Sequence, residues 1–357
     1  MTFLWINLAL VFITTFFARY FATILIKNDS TVLVKPNKVL MFGAMFTLVA
    51  IAGLRSNIGD TFNYVDIYTS NDFTWNYILS HKDIGFGILQ MQLKKISEDP
   101  QILIFTTALI TNVFIILVLY KYSRMFEISV YVYITGGLFL VTMNGIRQTL
   151  AAAIIFTATK FLMEGRWKRY FLIIIFASFF HQSALILLPM YFVVRCKAWS
   201  KATVALVLLA IIIVLGFNQF SSILFSAIED TQYSDYKGVN EGGANILRVA
   251  VESVPLFIAF LGRDKLKEIF PGSDYIVNMA LLGFVFMLIS TQNWIFARFS
   301  IYFGLYQLIL ISWIVKLFRK RDEKLIYYGI LVCYFIYYYY ENVITLNILY
   351  KSNYLSW

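Results

Sequence analysis

Long apolar runs separated by short charged stretches recur along the whole chain: 1–26, 39–54, 101–120, 128–144, 147–163, 170–194, 202–217, 246–261, 275–291, 295–315 and 325–348. A helical membrane span needs about 20 mostly apolar residues, fewer where neighbouring helices shelter it. No water-soluble core of this size could absorb so many such runs. Of the 357 residues, 60% are hydrophobic and 14% are charged, against about 25% charged in an average soluble domain. The runs lack the alternating ten-residue pattern of an outer-membrane barrel. Helices are expected, because each satisfies its own backbone hydrogen bonds in lipid. The expectation is an all-α polytopic integral membrane protein, with 1–357 as a single transmembrane domain. Segment 1–26 has no basic leader and no small-residue cleavage site, so it reads as a first transmembrane helix.

The net charge of +10 would suggest nucleic acid in a soluble protein. Here the cations fall in short clusters between apolar runs, which points to orientation in the bilayer and not to nucleic acid. The segment 170–194, YFLIIIFASFFHQSALILLPMYFVV, decides the topology. Lys160, Arg166, Lys168 and Arg169 precede it, and Arg195, Lys197 and Lys201 follow it. If it turns back at His181 as a hairpin of two short helices, 20 of the 30 cations lie on the inner side and nine outside, with Arg19 inside the first span. If it crosses once, the count becomes 13 inside and 16 outside. The positive-inside rule selects the hairpin. About 12 helical passes follow, with both termini outside.

Two stretches suit external structure. Segment 55–100 carries Asp60, Asp66, Asp72 and Asp83, and its GFGILQMQLKKI stretch is expected to lie along the membrane surface. Segment 218–245 is acidic (Glu229, Asp230, Asp235 and Glu241 against Lys237) and ends in the flexible signal NEGGAN. It reads equally as a mobile loop over a site or as a plain connector.

The informative cations lie on the wrong side. Arg55, Arg147, Arg248 and Arg298 all sit at the outer ends of apolar runs, and the hairpin places His181 at a similar depth. An arginine at mid-membrane costs roughly 2.5 kcal/mol or more. One such arginine could simply snorkel to headgroups. Four of them beside a histidine point to an anion site, and guanidinium suits bidentate phosphate recognition. Asp60 and Tyr64 share a face if a helix starts at Asp60, which leaves Asp60 as either an N-cap, a partner of Arg55 or a catalytic group. The two histidines, His81 and His181, are far apart, and Cys196 and Cys333 lack ligand spacing, so no metal or cofactor is expected. The chain holds no P-loop, HExxH or GxSxG motif.

Three pieces, GLRSNIGDTFNY at 53–64, NGIRQTLAAAI at 144–154 and ASFFHQSALILLP at 177–189, resemble in order and spacing the EpsG family of bacterial membrane proteins, related to Wzy-type polysaccharide polymerases. The likeness covers about 35–200, with a weaker ARFSIYF at 297–303; the family often carries a glutamate near the position of Asp83. The resemblance implies a fold similar to multi-span glycosyltransferases that use polyprenyl-linked donors. It implies a polymerase of undecaprenyl-pyrophosphate-linked oligosaccharide repeat units, working at the outer face of the bacterial cytoplasmic membrane in exopolysaccharide, capsule or O-antigen synthesis. The implied partners are that lipid-linked oligosaccharide, membrane lipid, and flippase and chain-length regulator proteins. Such a donor carries its own leaving group, so the protein must supply positive charge and a base. The catalytic candidates are His181, with Asp60 as the rival base, and Arg147. The substrate-binding candidates are Arg55, Tyr64, Asn144, Gln148, Arg248 and Arg298. A transporter or flippase of lipid-linked oligosaccharides is the competing reading, since it too needs cations facing an anionic lipid.

Overall fold

The structure is a computed structural model that describes residues 1–27, 31–227 and 242–355. The described residues are almost entirely helical. Among the described residues, four helices are long and apolar enough to cross a membrane: α1 (Thr2–Tyr20), α6 (Gln101–Tyr122), α17 (Ser273–Ser290), and α18 (Ile295–Ile314) with the turn that extends it to Leu317. A fifth crossing results if α7 (Phe126–Thr135) and α8 (Leu138–Asn144) count as one span bent by 54°. The bend falls at Gly136–Gly137, and Gly137 adopts φ +90°, which glycine takes without a Cβ penalty. Other apolar helices are shorter, notably α2 (Lys38–Gly53), α9 (Ile146–Thr157), α13 (Lys201–Leu215) and α15 (Ile246–Leu261).

The first helix departs from expectation. It ends at Tyr20, not near 26, and Thr23–Lys27 and Thr31–Lys35 form an antiparallel strand pair, with Thr23 opposite Lys35. The sequences TILIK and TVLVK are rich in β-branched residues that favour a pleated strand over helix. Arg19, in the last turn of α1, is paired with the buried Glu127 of α7, so its charge is matched within the fold.

Helix α18 is the axis of the core. It packs on α17, α7, α9 and α15, and apolar residues bury on every side of it, the pattern of a helix enclosed by others. By contrast, α1, α13, α15 and α19 (Glu323–Tyr339) turn large apolar side chains outward, among them Phe16, Leu208, Phe257 and Ile336. A monomer in water rarely exposes so broad an apolar belt. In lipid it is the outer surface of a membrane protein.

Segment 167–194 folds back on itself. Helix α11 (Trp167–Ser178) ends before His181, a short 3-10 turn spans Gln182–Ile186, and α12 (Leu187–Val194) follows. Tyr170 at the start of α11 meets Tyr191 near the end of α12, their rings 5.6 Å apart. That contact requires an antiparallel return, with His181 at its tip.

The 55–100 segment forms α3 (Thr61–Ser70), α4 (Trp75–Leu79) and α5 (Ile84–Lys94). The stretch GFGILQMQLKKI forms most of α5 and buries Phe86, Gln90 and Leu93. The acidic residues of 218–245 and Lys237 lie outside the described residues.

Candidate functional site

The tip of the 167–194 hairpin is held by the first turn of α5. Gly85 donates its backbone N–H to the carbonyl of Phe179 at 2.7 Å. A Cβ on Gly85 would lie 2.9 Å from the Phe179 side chain, so only glycine lets the two backbones meet this closely. The contact brings Asp83 against the tip. Asp83 occupies the N-cap position of α5 but does not cap it. Its Oδ1 accepts the backbone N–H of Gln182 at 3.1 Å. Its Oδ2 accepts from the Arg147 guanidinium at 2.8 Å and faces Nδ1 of His181 at 3.5 Å.

Three elements distant in sequence thus meet at one carboxylate. The exposures differ in a useful way. The side chains of Asp83 and His181 are each 4% exposed, whereas that of Arg147 is 39% exposed. A ligand arriving from outside would touch Arg147 first and find the acid and imidazole behind it. The Arg147 guanidinium also lies 5.9 Å from the centroid of the Tyr64 ring, within cation–π range. Tyr64 is itself buried and packs on Phe86 of α5.

Helix α18 provides the opposite wall. Gln148, next to Arg147, donates to the backbone carbonyl of Arg298 at 2.6 Å. The Arg298 guanidinium sits 5.1 Å from the Trp294 ring. Ser183, two residues past His181, shares a 2.9 Å hydrogen bond with the Tyr302 hydroxyl. The charges of both Arg147 and Arg298 act on His181. Backbone bonds from Ala244 to Ser290 and from Trp294 to Gly242 dock residues 242–244 against the turn that leads into α18. Gly243 is required there, since a Cβ would fall 1.6 Å from the carbonyl oxygen of Thr291.

The loop between α2 and α3 closes the third side. Asn144, at the end of α8, accepts the backbone N–H of Asp60 at 2.9 Å. Gly59, at φ +51°, passes so close that a Cβ would meet the Asn144 amide at 2.2 Å. The preceding Ile58 holds φ +85°. A β-branched residue there is strained, and such strain gathers around functional sites. Asp60 does stand at the N-cap position of α3, with Tyr64 on the next turn, but its side chain makes no capping bond.

Two arginines have other places. Arg55 is 1% exposed. Its Nε donates to Thr61 at 3.0 Å, one terminal nitrogen to the carbonyl of Ala52, and the other to the carbonyl of Met143 at 2.8 Å. It fastens the end of α2 to the end of α8. Arg248 donates to Oε1 of the buried Glu341, through Nε at 2.7 Å and through a second nitrogen, so it is engaged by the final helical stretch.

Asp83 is the residue that the sequence reading left out of the site. It lies in a polar loop, and its partners are 64 and 99 positions away. The available signal was the family resemblance, which often carries a glutamate near this position, with the Gly-Phe-Gly that begins two residues on. Among the described residues no three His, Cys, Asp or Glu side chains gather into a group that could hold a metal ion.

No curated protein and no solved structure matches the chain. The EpsG family model matches residues 38–354. That span begins at α2 and takes in the arginine clamp, the hairpin tip, Asp83, Arg147, and the α17–α18 wall. The chain belongs to the EpsG family.

Proposed function

We propose that the protein polymerises undecaprenyl-pyrophosphate-linked oligosaccharide repeat units at the outer face of the bacterial cytoplasmic membrane. The growing glycan is transferred from its lipid to the next lipid-linked unit. Family membership supports a polysaccharide polymerase-type activity. The observation that carries the site assignment is Asp83 gripping both the half-exposed Arg147 and the buried His181.

In this reading Arg147 meets the donor pyrophosphate and stabilises the charge that builds on it. Arg298 adds a second positive field from α18. Asp83 faces Nδ1 of His181, so Nε2 takes the proton of the acceptor hydroxyl. The hydroxyl oxygen bonds to the anomeric carbon, the bond from that carbon to pyrophosphate breaks, and its electron pair leaves with undecaprenyl pyrophosphate. Asp60, at the mouth beside Asn144, is the alternative base. Tyr64 and Gln148 hold Arg147 and α18 in place, and Asn144 fixes the outer loop.

The reading includes a single transmembrane domain over 1–357 with about 12 helical passes. Short helices cross in the shelter of longer ones, both termini lie outside, and 55–100 and 218–245 form the external segments. Purified protein given one lipid-linked repeat unit should yield a ladder of products without nucleotide sugar or added metal. A protein that yields no ladder but moves the lipid-linked unit between leaflets, and loses that movement in Arg147→Ala, is a transporter instead.

A further inference from the structure

We propose that a groove between α13 and α15 binds one anionic glycerophospholipid, with an acyl chain in the groove and the phosphate at the end marked by Trp199. Helix α17 packs against both α13 and α15 and forms the floor. The space is about 320 Å³, within the roughly 300–1,000 Å³ of small-molecule sites. Its walls include Val207 and Leu208 from α13 and Leu256 and Phe260 from α15. Ser253 is one of few polar side chains along it. Leu208 is 54% exposed, so the groove opens sideways to the bilayer, where lipid chains are at hand.

One end is closed and cationic. The rings of Trp199 and Phe260 meet edge to face at 5.2 Å. Trp199 holds a left-handed backbone at φ +60°, a conformation that a bulky residue adopts at a cost. The Arg263 guanidinium covers the Phe260 ring at 5.0 Å. Lys197 and Lys201 flank Trp199 and are exposed. Lys267 is matched by Asp274 and Lys265 is held by the carbonyls of Leu317 and Phe318. Lys197, Lys201 and Arg263, by contrast, form no ion pair among the described residues. The Ser200 hydroxyl is buried beside them without a hydrogen-bond partner. It stands where the first N–H groups of α13 emerge, a direction that favours an anion. A tryptophan and several cations at one end of an apolar groove match a phosphate above a lipid tail.

The site is separate from the Asp83–Arg147–His181 cluster and draws on none of its residues. Only the choice of leaflet, the cytoplasmic one, rests on the proposed topology.

The test is native mass spectrometry of the full-length protein in detergent, titrated with phosphatidylglycerol and, separately, phosphatidylcholine. One phosphatidylglycerol should bind with at least roughly tenfold preference, and Lys201→Gln or Arg263→Gln should each weaken it roughly fivefold. Ser253→Phe, which places a ring in the groove, should abolish binding of that one lipid while thermal unfolding stays unchanged. Equal binding of both lipids would overturn the proposal. So would undiminished phosphatidylglycerol in Ser253→Phe, or its displacement by an equal concentration of undecaprenyl phosphate. If Ser253→Phe does not fold, the two exposed cation variants decide alone, and unchanged affinity in both is fatal. Specific phosphatidylglycerol binding by a protein that builds no ladder would support the groove and sink only the polymerase reading.

Discussion

Asp83 and Arg147, 64 residues apart in the chain, form a 2.8 Å ion pair with the carboxylate buried and the guanidinium half-exposed. This pairing joins the α3–α5 segment to the first turn of α9, and the same carboxylate faces His181. Removing it leaves one cation and one imidazole without their shared anchor. Asp83→Asn is expected to lower the chain-extension rate on the order of 100-fold, the lower end of what a positioned acid–base group contributes. Asp83→Glu keeps the charge and should stay within about tenfold of wild type. Product ladders from purified variants measure both, and an Asp83→Asn enzyme at full rate would remove Asp83 from the site.

His181→Gln tests the base. The residue is 3% exposed and sits at the hairpin tip, so glutamine fills most of its volume. The expected result is a loss of kcat of about 100- to 10,000-fold with little change in KM for the lipid-linked unit. Wild-type turnover in this variant, with Asp60→Asn inactive, would transfer the role to Asp60.

Arg55 and Arg147 should fail in different ways. Arg55→Ala removes the donors of two buried carbonyls and a hydroxyl; each buried acceptor left without a partner costs about 1–3 kcal/mol. Thermal unfolding in detergent should therefore drop clearly for Arg55→Ala. Arg147→Lys, which leaves a cation beside the buried Asp83 carboxylate, should unfold close to wild type yet lose most chain extension. Equal melting of the two proteins would contradict the separation of roles.

Gly59→Ala and Gly243→Ala probe the loops that frame the site. The new Cβ would meet the Asn144 amide at 2.2 Å in one case and the Thr291 carbonyl at 1.6 Å in the other. Both contacts are far inside van der Waals range, so each loop must move. Each variant should lose at least about 2 kcal/mol of stability, in the range of backbone-conflict substitutions, along with chain extension. Retention of both properties in either variant would show that its loop is not part of the frame.

Orientation is tested with a membrane-impermeant thiol reagent. Cys196 and Cys333 are free, so both are first replaced by serine. A cysteine at Lys82 should then label in intact cells and one at Lys324 only after lysis. The reverse pattern would invert the topology.

The positions of the helices were largely legible. Each apolar run from 39–54 onward has helix within it, because apolar length and helix formation are tied by the need to satisfy backbone groups in lipid. The strand pair at 23–35 was hidden because the apolar residues of its first strand continue those of α1, with Arg19 as the one charge between them. Distances between helices were not legible, and they decide the site. The sequence places Arg55 at the outer end of a run but does not say that Met143, 88 residues on, supplies its acceptor. It shows Glu341 within a tyrosine run but not that it faces Arg248. Asp83 had the opposite difficulty: the family resemblance marked a carboxylate near it, but nothing in its own loop shows that the hairpin tip and Arg147 come to it.

Arg55 ties the carbonyl of Met143 to the end of α2, and Arg147 follows only four residues later, across the break at Gly145. The guanidinium that would meet a ligand therefore stands on a joint already locked from below by another guanidinium. A bound anion gains little freedom to drag it outward. The arrangement works as a fixed jig, in which the substrate must travel to the cation.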